Sequence, residues 1–205
     1  MLLKISFIII AYLLGSIPTS YILTRKIKGV DIRDFGSGNV GATNALRVLG
    51  TKFGVLALLL DMAKGAIPVF IAQSLGFSDL WLIAIALTAI IGHIFTIFLK
   101  FKGGKGVATS AGVFIALAPA SVGFALLVFI ITVWLSRYVS LGSILAALTL
   151  FISELIFNLR NGFEQKEILV LIFVIALFII IKHKANIKRL LAGNENKLSF
   201  KKTID

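Results

Sequence analysis

The sequence predicts an all-α, polytopic membrane protein, and three observations carry that prediction. The first is composition: 59% of the 205 residues are hydrophobic, 15% are charged and mean hydropathy is +1.03, unlike a soluble domain. The second is pattern. Long apolar runs alternate with short polar stretches, and at ~1.5 Å per residue most runs can cross a hydrocarbon core of about 30 Å. The third is charge: a net +12 is gathered into alternate polar stretches, as expected of cytoplasmic loops. The chain has no cysteine, which excludes disulfides and thiolate metal sites. No basic stripe with interleaved aromatics occurs, so nucleic acid is not expected as a partner.

Residues 5–23 form the first span, with Gly15, Ser16 and Pro18 inside it. Lys4 precedes it like the charged start of a signal peptide. No small-residue cleavage site follows, and Arg25 and Lys26 come at once, so the segment reads as an uncleaved span. Residues 24–52 are polar and hold Gly36-Ser37-Gly38-Asn39-Val40-Gly41-Ala42-Thr43-Asn44, with Arg33 before and Arg47 after. A short helix can begin within 39–49. The glycines remove the Cβ atoms that would keep a ligand away from the backbone. Ser37, Asn39, Thr43 and Asn44 add neutral hydrogen-bonding groups, and successive amides in such a loop form an anion-binding concavity. These residue types point to an oxyanion or phosphate cradle at a membrane surface.

Residues 53–75 are the second span and contain Asp61 and Lys64, three apart on one helical face. Either charge alone would cost ~3 kcal/mol near the bilayer centre. They are read as a neutralising pair, with contact to a polar ligand as the alternative. Residues 80–99 are the third span, with His93 near its end. An acid five residues on would complete the His–acid pair of one class of acyltransferases, but Phe98 stands there, so His93 is read as structural. Next comes Lys100-Phe101-Lys102-Gly103-Gly104-Lys105-Gly106. A nucleotide-binding P-loop needs Ser or Thr directly after its Lys, and Gly106 occupies that place. Lys105, bracketed by glycines, can still approach a phosphate as a point charge; Lys100 and Lys102 read as headgroup anchors.

As one helix, residues 107–135 would be about 43 Å long, more than a bilayer core needs. Pro119 lies inside and favours a break, giving two short spans, 107–117 and 120–135. A span over 141–157 follows, with Ser143 near its start and Glu154 near its end, then a polar turn over 160–166 and a last span over 168–181. The tail from Lys182 is basic, and its final part, 191–205, is expected to be mobile. The whole chain, 1–205, reads as a single domain.

Charge decides the span count. With seven spans, Arg25, Lys26, Lys28, Arg33, Arg47, Lys52, Lys100, Lys102, Lys105, Arg137 and the basic tail share one side. The other side keeps Lys4, Arg160 and Lys166 beside Asp79, Glu164 and Glu167. Six spans would divide the positive charge between both faces. Seven spans, N-terminus outside and C-terminus cytoplasmic, satisfy the positive-inside rule. No internal repeat suggests an inverted-repeat transporter. The same parity brings the glycine cradle, the lysine–glycine loop, Ser143 and the 183–189 segment to one face. There His183 and Asn186, three apart, can hydrogen-bond a polyol or phosphate, or simply cap a helix end. No Ser-His-Asp or Cys-His set suggests a covalent intermediate, and two histidines without nearby acids give no metal site.

Taken together, these segments resemble the bacterial membrane glycerol-3-phosphate acyltransferases that use acyl phosphate as donor. The resemblance rests on Gly15-Ser16-Ile17-Pro18 with Tyr21, and on Asp31-Ile32-Arg33 leading into the glycine segment and Arg47. It extends through Gly92-His93-Ile94-Phe95, Phe101-Lys102-Gly103-Gly104-Lys105-Gly106-Val107-Ala108-Thr109, Ser140-Leu141-Gly142-Ser143 and His183-Lys184-Ala185-Asn186-Ile187-Lys188-Arg189-Leu190. It implies a seven-span enzyme of the bacterial inner membrane, with its active site on the cytoplasmic side. The implied reaction moves a fatty acyl group from acyl phosphate to the 1-hydroxyl of sn-glycerol 3-phosphate, giving lysophosphatidic acid and phosphate. No cofactor is expected, and the enzyme is expected to act as a monomer among membrane lipids.

The expected site follows residue by residue. Gly36, Ser37, Gly38, Asn39, Gly41, Thr43 and Asn44 hold the donor phosphate; Arg47, Lys105, Ser143, His183 and Asn186 hold glycerol 3-phosphate. Ser37 and Asn39 serve the oxyanion, and a substrate phosphate oxygen or His183 takes the hydroxyl proton. The rival readings are a transporter or channel for a phosphorylated metabolite and a non-catalytic lipid-binding scaffold.

Overall fold

The computed structural model describes residues 1–198. Among them the regular structure is helical: α1 (Leu2–Ser16), α2 (Thr19–Lys28), α3 (Ala42–Leu49), α4 (Thr51–Ser74), α5 (Asp79–Ile94), α6 (Val107–Leu117), α7 (Pro119–Ser136), α8 (Val139–Arg160), α9 (Lys166–Lys182) and α10 (Lys184–Leu191), with single 3₁₀ turns at Ile32–Asp34 and Ile97–Leu99. By length and apolarity, four helical segments can cross a membrane, or up to six if each of the bent pairs α1–α2 and α9–α10 is one span. The apolar α6 is shorter, at 11 residues. The protein is thus all-α with several membrane-spanning helices. Large apolar side chains point outward along them, as Trp134 and Leu135 do at 76% and 71% exposure, a surface suited to lipid.

Two expected boundaries have clear physical outcomes. The run 107–135 does divide: Ala118 leaves the helical region, and Pro119 starts α7 at its first turn, where its missing N–H costs nothing. The first apolar run was expected to be one span, but it bends by 40° between α1 and α2. Ile17, restricted by the proline after it, is extended at φ −57°, ψ 113°, and Pro18 cannot donate back into α1.

Two compact units can be distinguished, Met1–Val113 and Phe114–Leu198. In the first, helices meet through glycine. A Cβ on Gly15 would lie 2.1 Å from the Ala89 carbonyl oxygen, and one on Gly92 2.4 Å from that of Tyr12, so α1 and α5 touch backbone to backbone. Gly65 and Gly112 bring α4 equally close to α6. Beside these helices the amphipathic α3 buries Ala45, Val48 and Leu49 with Ile32, Val40, Ala57 and Leu99, which seats the polar segment before it. In the second unit α8 packs between α7 and α9. Ser121 of α7 donates to the buried Glu154 carboxylate at 2.7 Å, and Asn158 donates to its other oxygen at 3.2 Å.

Candidate functional site

The glycine segment forms an open loop held from beneath by Asn44. This side chain is 1% exposed. Its Oδ1 accepts the Ser37 amide at 2.9 Å, and its Nδ2 donates to the carbonyls of Phe35 at 2.9 Å and Ile32 at 3.1 Å. Gly36 (φ +62°) and Gly38 (φ +70°) supply left-handed turns, and a Cβ on Gly36 would strike Asn44 Oδ1 at 2.2 Å. Asn44, expected among the phosphate-holding groups, thus commits both its donors to loop carbonyls. The Ser37 amide is likewise used inside the loop, while the Ser37 side chain is exposed. Asn39, Thr43 and Arg47 are half-buried, the last two one turn apart on α3. Gly41 precedes α3 without a side-chain cap, an arrangement that suits an anion at the first amides of the helix. Upstream, Arg33 is bound to Asp31 at 2.6 Å and lies over the Tyr21 ring. Its hydrogen bond holds the Asp31 carboxyl below the usual carboxylate range.

In the same unit the lysine–glycine loop folds back over the end of α5. Gly103 N–H donates to the Ile94 carbonyl at 3.0 Å and Gly104 N–H to that of His93 at 3.1 Å, satisfying carbonyls that the end of a helix leaves open. Lys105 follows directly, half-buried. Below lies a polar cluster. Lys64 pairs with Asp61 at 2.7 Å, as their spacing predicts, and also donates to the Ile17 carbonyl at 2.7 Å. Asp61 accepts the Thr19 hydroxyl, and Thr96 donates to the Ser16 carbonyl. The bend between α1 and α2 is thereby satisfied. His93 Nδ1 stands 3.8 Å from the same Asp61 oxygen. The sequence reading that neither histidine has an acid nearby is corrected here: 32 residues of separation hid a tertiary neighbour.

In the second unit, His183, Asn186 and Ser143 are all buried. His183 Nδ1 lies 2.8 Å from the Ile179 carbonyl, so the neutral ring carries its proton there and its lone pair on Nε2. Ser143 donates to the Val139 carbonyl one turn back. Asn186 Nδ2 donates at 2.6 Å to Glu195, which also accepts from Ser140 at 2.8 Å and Arg189 at 2.7 Å. Burial pushes the Glu195 carboxyl up, but these three hydrogen bonds outweigh it and leave the group below its ordinary value. Glu195 was not singled out in the sequence, and Ser140 only within the motif that ends at Ser143. Glu195 falls in the segment expected to be mobile, yet Asn194 N–H donates to Arg189 and Leu198 N–H to Arg137, tying the chain down to residue 198. The rest of that segment, 199–205, lies outside the described residues. The only signal was an acid two residues beyond Gly193 in a basic tail.

Comparison with known proteins follows from this geometry. A family model described as glycerol-3-phosphate acyltransferase matches residues 5–193. A glycerol-3-phosphate acyltransferase of Chlorobaculum tepidum is 47% identical over 228 aligned residues, covering 98% of each chain. One of Geobacter sulfurreducens is 50% identical over 191, covering 92% of this chain and 94% of the relative. Among solved structures, PlsY, an integral membrane glycerol 3-phosphate acyltransferase, matches in its glycerol 3-phosphate form with a TM-score of 0.86 at 43% identity, over 96% of each chain. Its lysophosphatidic acid form matches with a TM-score of 0.84 at 42% identity.

Proposed function

The chain belongs to the glycerol-3-phosphate acyltransferase family, and on that premise we propose that it transfers a fatty acyl group from acyl phosphate to the 1-hydroxyl of sn-glycerol 3-phosphate. The products are lysophosphatidic acid and inorganic phosphate. The observation that carries the acceptor is the likeness, over 96% of the chain, to an acyltransferase captured in glycerol 3-phosphate and lysophosphatidic acid forms. The donor is inferred from chemistry. An acyl phosphate is a mixed anhydride with a good leaving group, so positioning and charge stabilisation suffice. The open glycine loop suits a phosphate.

In the proposed reaction the hydroxyl oxygen bonds to the acyl carbon, the bond from that carbon to the phosphate oxygen breaks, and phosphate leaves. Ser37 and Asn39, with the loop of Gly36, Gly38, Gly41 and Thr43, hold the donor phosphate and the developing oxyanion. Asn44 contributes by holding the loop itself. Arg47 and Lys105, with Ser143, His183 and Asn186, are proposed as the groups that hold glycerol 3-phosphate. The hydroxyl proton passes to a substrate phosphate oxygen, or to His183 Nε2, the ring nitrogen turned away from the Ile179 carbonyl. The chain is proposed to sit in the bacterial inner membrane with seven spans, α6 counted among them, its chemistry on the cytoplasmic side, acting as a monomer.

Incubating the purified protein with labelled glycerol 3-phosphate and, in parallel, acyl phosphate, acyl-CoA or acylated carrier protein tests the donor. Lysophosphatidic acid is expected from acyl phosphate alone; product from a thioester and none from acyl phosphate would refute it. Ser37→Ala should lower kcat ~100-fold, as loss of one oxyanion donor does. If His183 is the base, His183→Ala abolishes kcat; if it binds, the loss falls on KM.

A further inference from the structure

The buried cluster beneath the lysine–glycine loop has no part in the reaction as written above, yet its position is specific. Asp61, Lys64 and His93 are 1%, 8% and 6% exposed, charged or ionisable groups placed where a bilayer-spanning protein tolerates them only for a reason. A cavity of about 10 Å³ lies among them, with room for roughly one water. Its walls take in Val40 from the glycine loop and Gly104 from the lysine loop. His93 Nδ1 faces Asp61 and has no hydrogen-bond partner in the protein, so a water in this cavity would complete it. The other edge of the ring lies against Gly104: a Cβ there would fall 2.2 Å from His93 Nε2. The His93 carbonyl also receives the Gly104 amide. One residue therefore touches the loop twice, by ring and by backbone, immediately before Lys105.

We propose that Asp61, Lys64 and His93 form a positioning cluster that fixes the seat of the Gly103–Gly104 turn and thereby the approach of Lys105 to the phosphate of glycerol 3-phosphate. Asp61 orients the ring from below, held by Lys64 and Thr19; the ring bears on Gly104; Gly104 sets where Lys105 begins. None of the three touches substrate. The inference rests on the reading of Lys105 as a glycerol 3-phosphate ligand.

The test is a double-mutant cycle read in steady-state kinetics against glycerol 3-phosphate at saturating acyl phosphate. His93→Ala and Gly104→Ala should each raise KM about tenfold and leave kcat within about threefold. The doubly substituted enzyme should be no worse than Gly104→Ala alone, because the three atoms nearest the added methyl all belong to the His93 ring and are then gone. Asp61→Asn, which keeps the shape and loses the charge, should raise KM in the same way. If His93→Ala does not fold, His93→Asn takes its place in the cycle. KM effects that multiply in the double variant, or a wild-type KM in the His93 variant, would overturn the proposal. Lys105→Ala separates this from the reading beneath it: an unchanged KM there removes Lys105 as a ligand, whereas coupling between positions 93 and 104 would still establish the ring as the seat of the turn.

Discussion

Replacing Asn44 by alanine isolates the contribution of loop shape from that of the groups that touch substrate. The side chain makes three hydrogen bonds, to Ser37 N–H and to the carbonyls of Ile32 and Phe35, at 2.9–3.1 Å. Alanine leaves one donor and two acceptors without these partners. At a net ~1 kcal/mol each, with water reaching some of the stranded groups, the loop loses about 2–3 kcal/mol of its preference for this shape. Each 1.36 kcal/mol is roughly tenfold in rate, so kcat/KM for lysophosphatidic acid formation should fall about 30- to 150-fold. The loss is local: α3 keeps its apolar seat on Ile32, Ala57 and Leu99, so the thermal midpoint should move little. Asn44→Asp should fall at least as far, because a carboxylate in that place keeps the acceptor for Ser37 but faces the two carbonyls without donors. Activity of Asn44→Ala within threefold of wild type, at equal expression, would refute the idea that this amide shapes the loop.

Glu195→Gln should remove a pH dependence. The folded carboxyl titrates below its ordinary 4.5, so its contribution is present above that value and lost as pH falls through the lower, folded pKa. Wild type should therefore lose thermal stability on acidification below about pH 4.5, and the variant should show a shallower loss; parallel profiles would count against it. Gly112→Ala, whose Cβ would lie 1.9 Å from the Met62 carbonyl oxygen, should abolish stable expression. Gly123→Ala, with open space around it in α7, should be neutral or gain up to ~1 kcal/mol of stability. A reporter fused after Leu198 should be active only in the cytoplasm, and an external signal would exclude the seven-span arrangement.

Much of this was readable from residue order, and the failures have physical causes. Hydrocarbon thickness imposes run length directly on sequence, so the apolar helices stood out, and Pro119 marked its own break. Pro18 did not, because apolar Tyr21, Ile22 and Leu23 carry hydropathy past the bend without interruption. The glycine loop was visible because three glycines among short polar residues have few other uses. The part played by Asn44 was not, since the same amide serves a phosphate or a backbone equally well and only the fold assigns it. Asp61 and His93 belong to different helices, and no spacing rule joins them. Glu195 was hidden by its neighbours: its meaning comes from Ser140, 55 positions earlier.

That last contact bears on biosynthesis. Ser140 and Asn186 are positioned through an acid that leaves the ribosome after the ten helices described above. A nascent or truncated chain ending near Leu191 could insert in the bilayer with all its helices and still lack the carboxylate that organises them. The carboxylate that Ser140, Asn186 and Arg189 share is thus made only after α10.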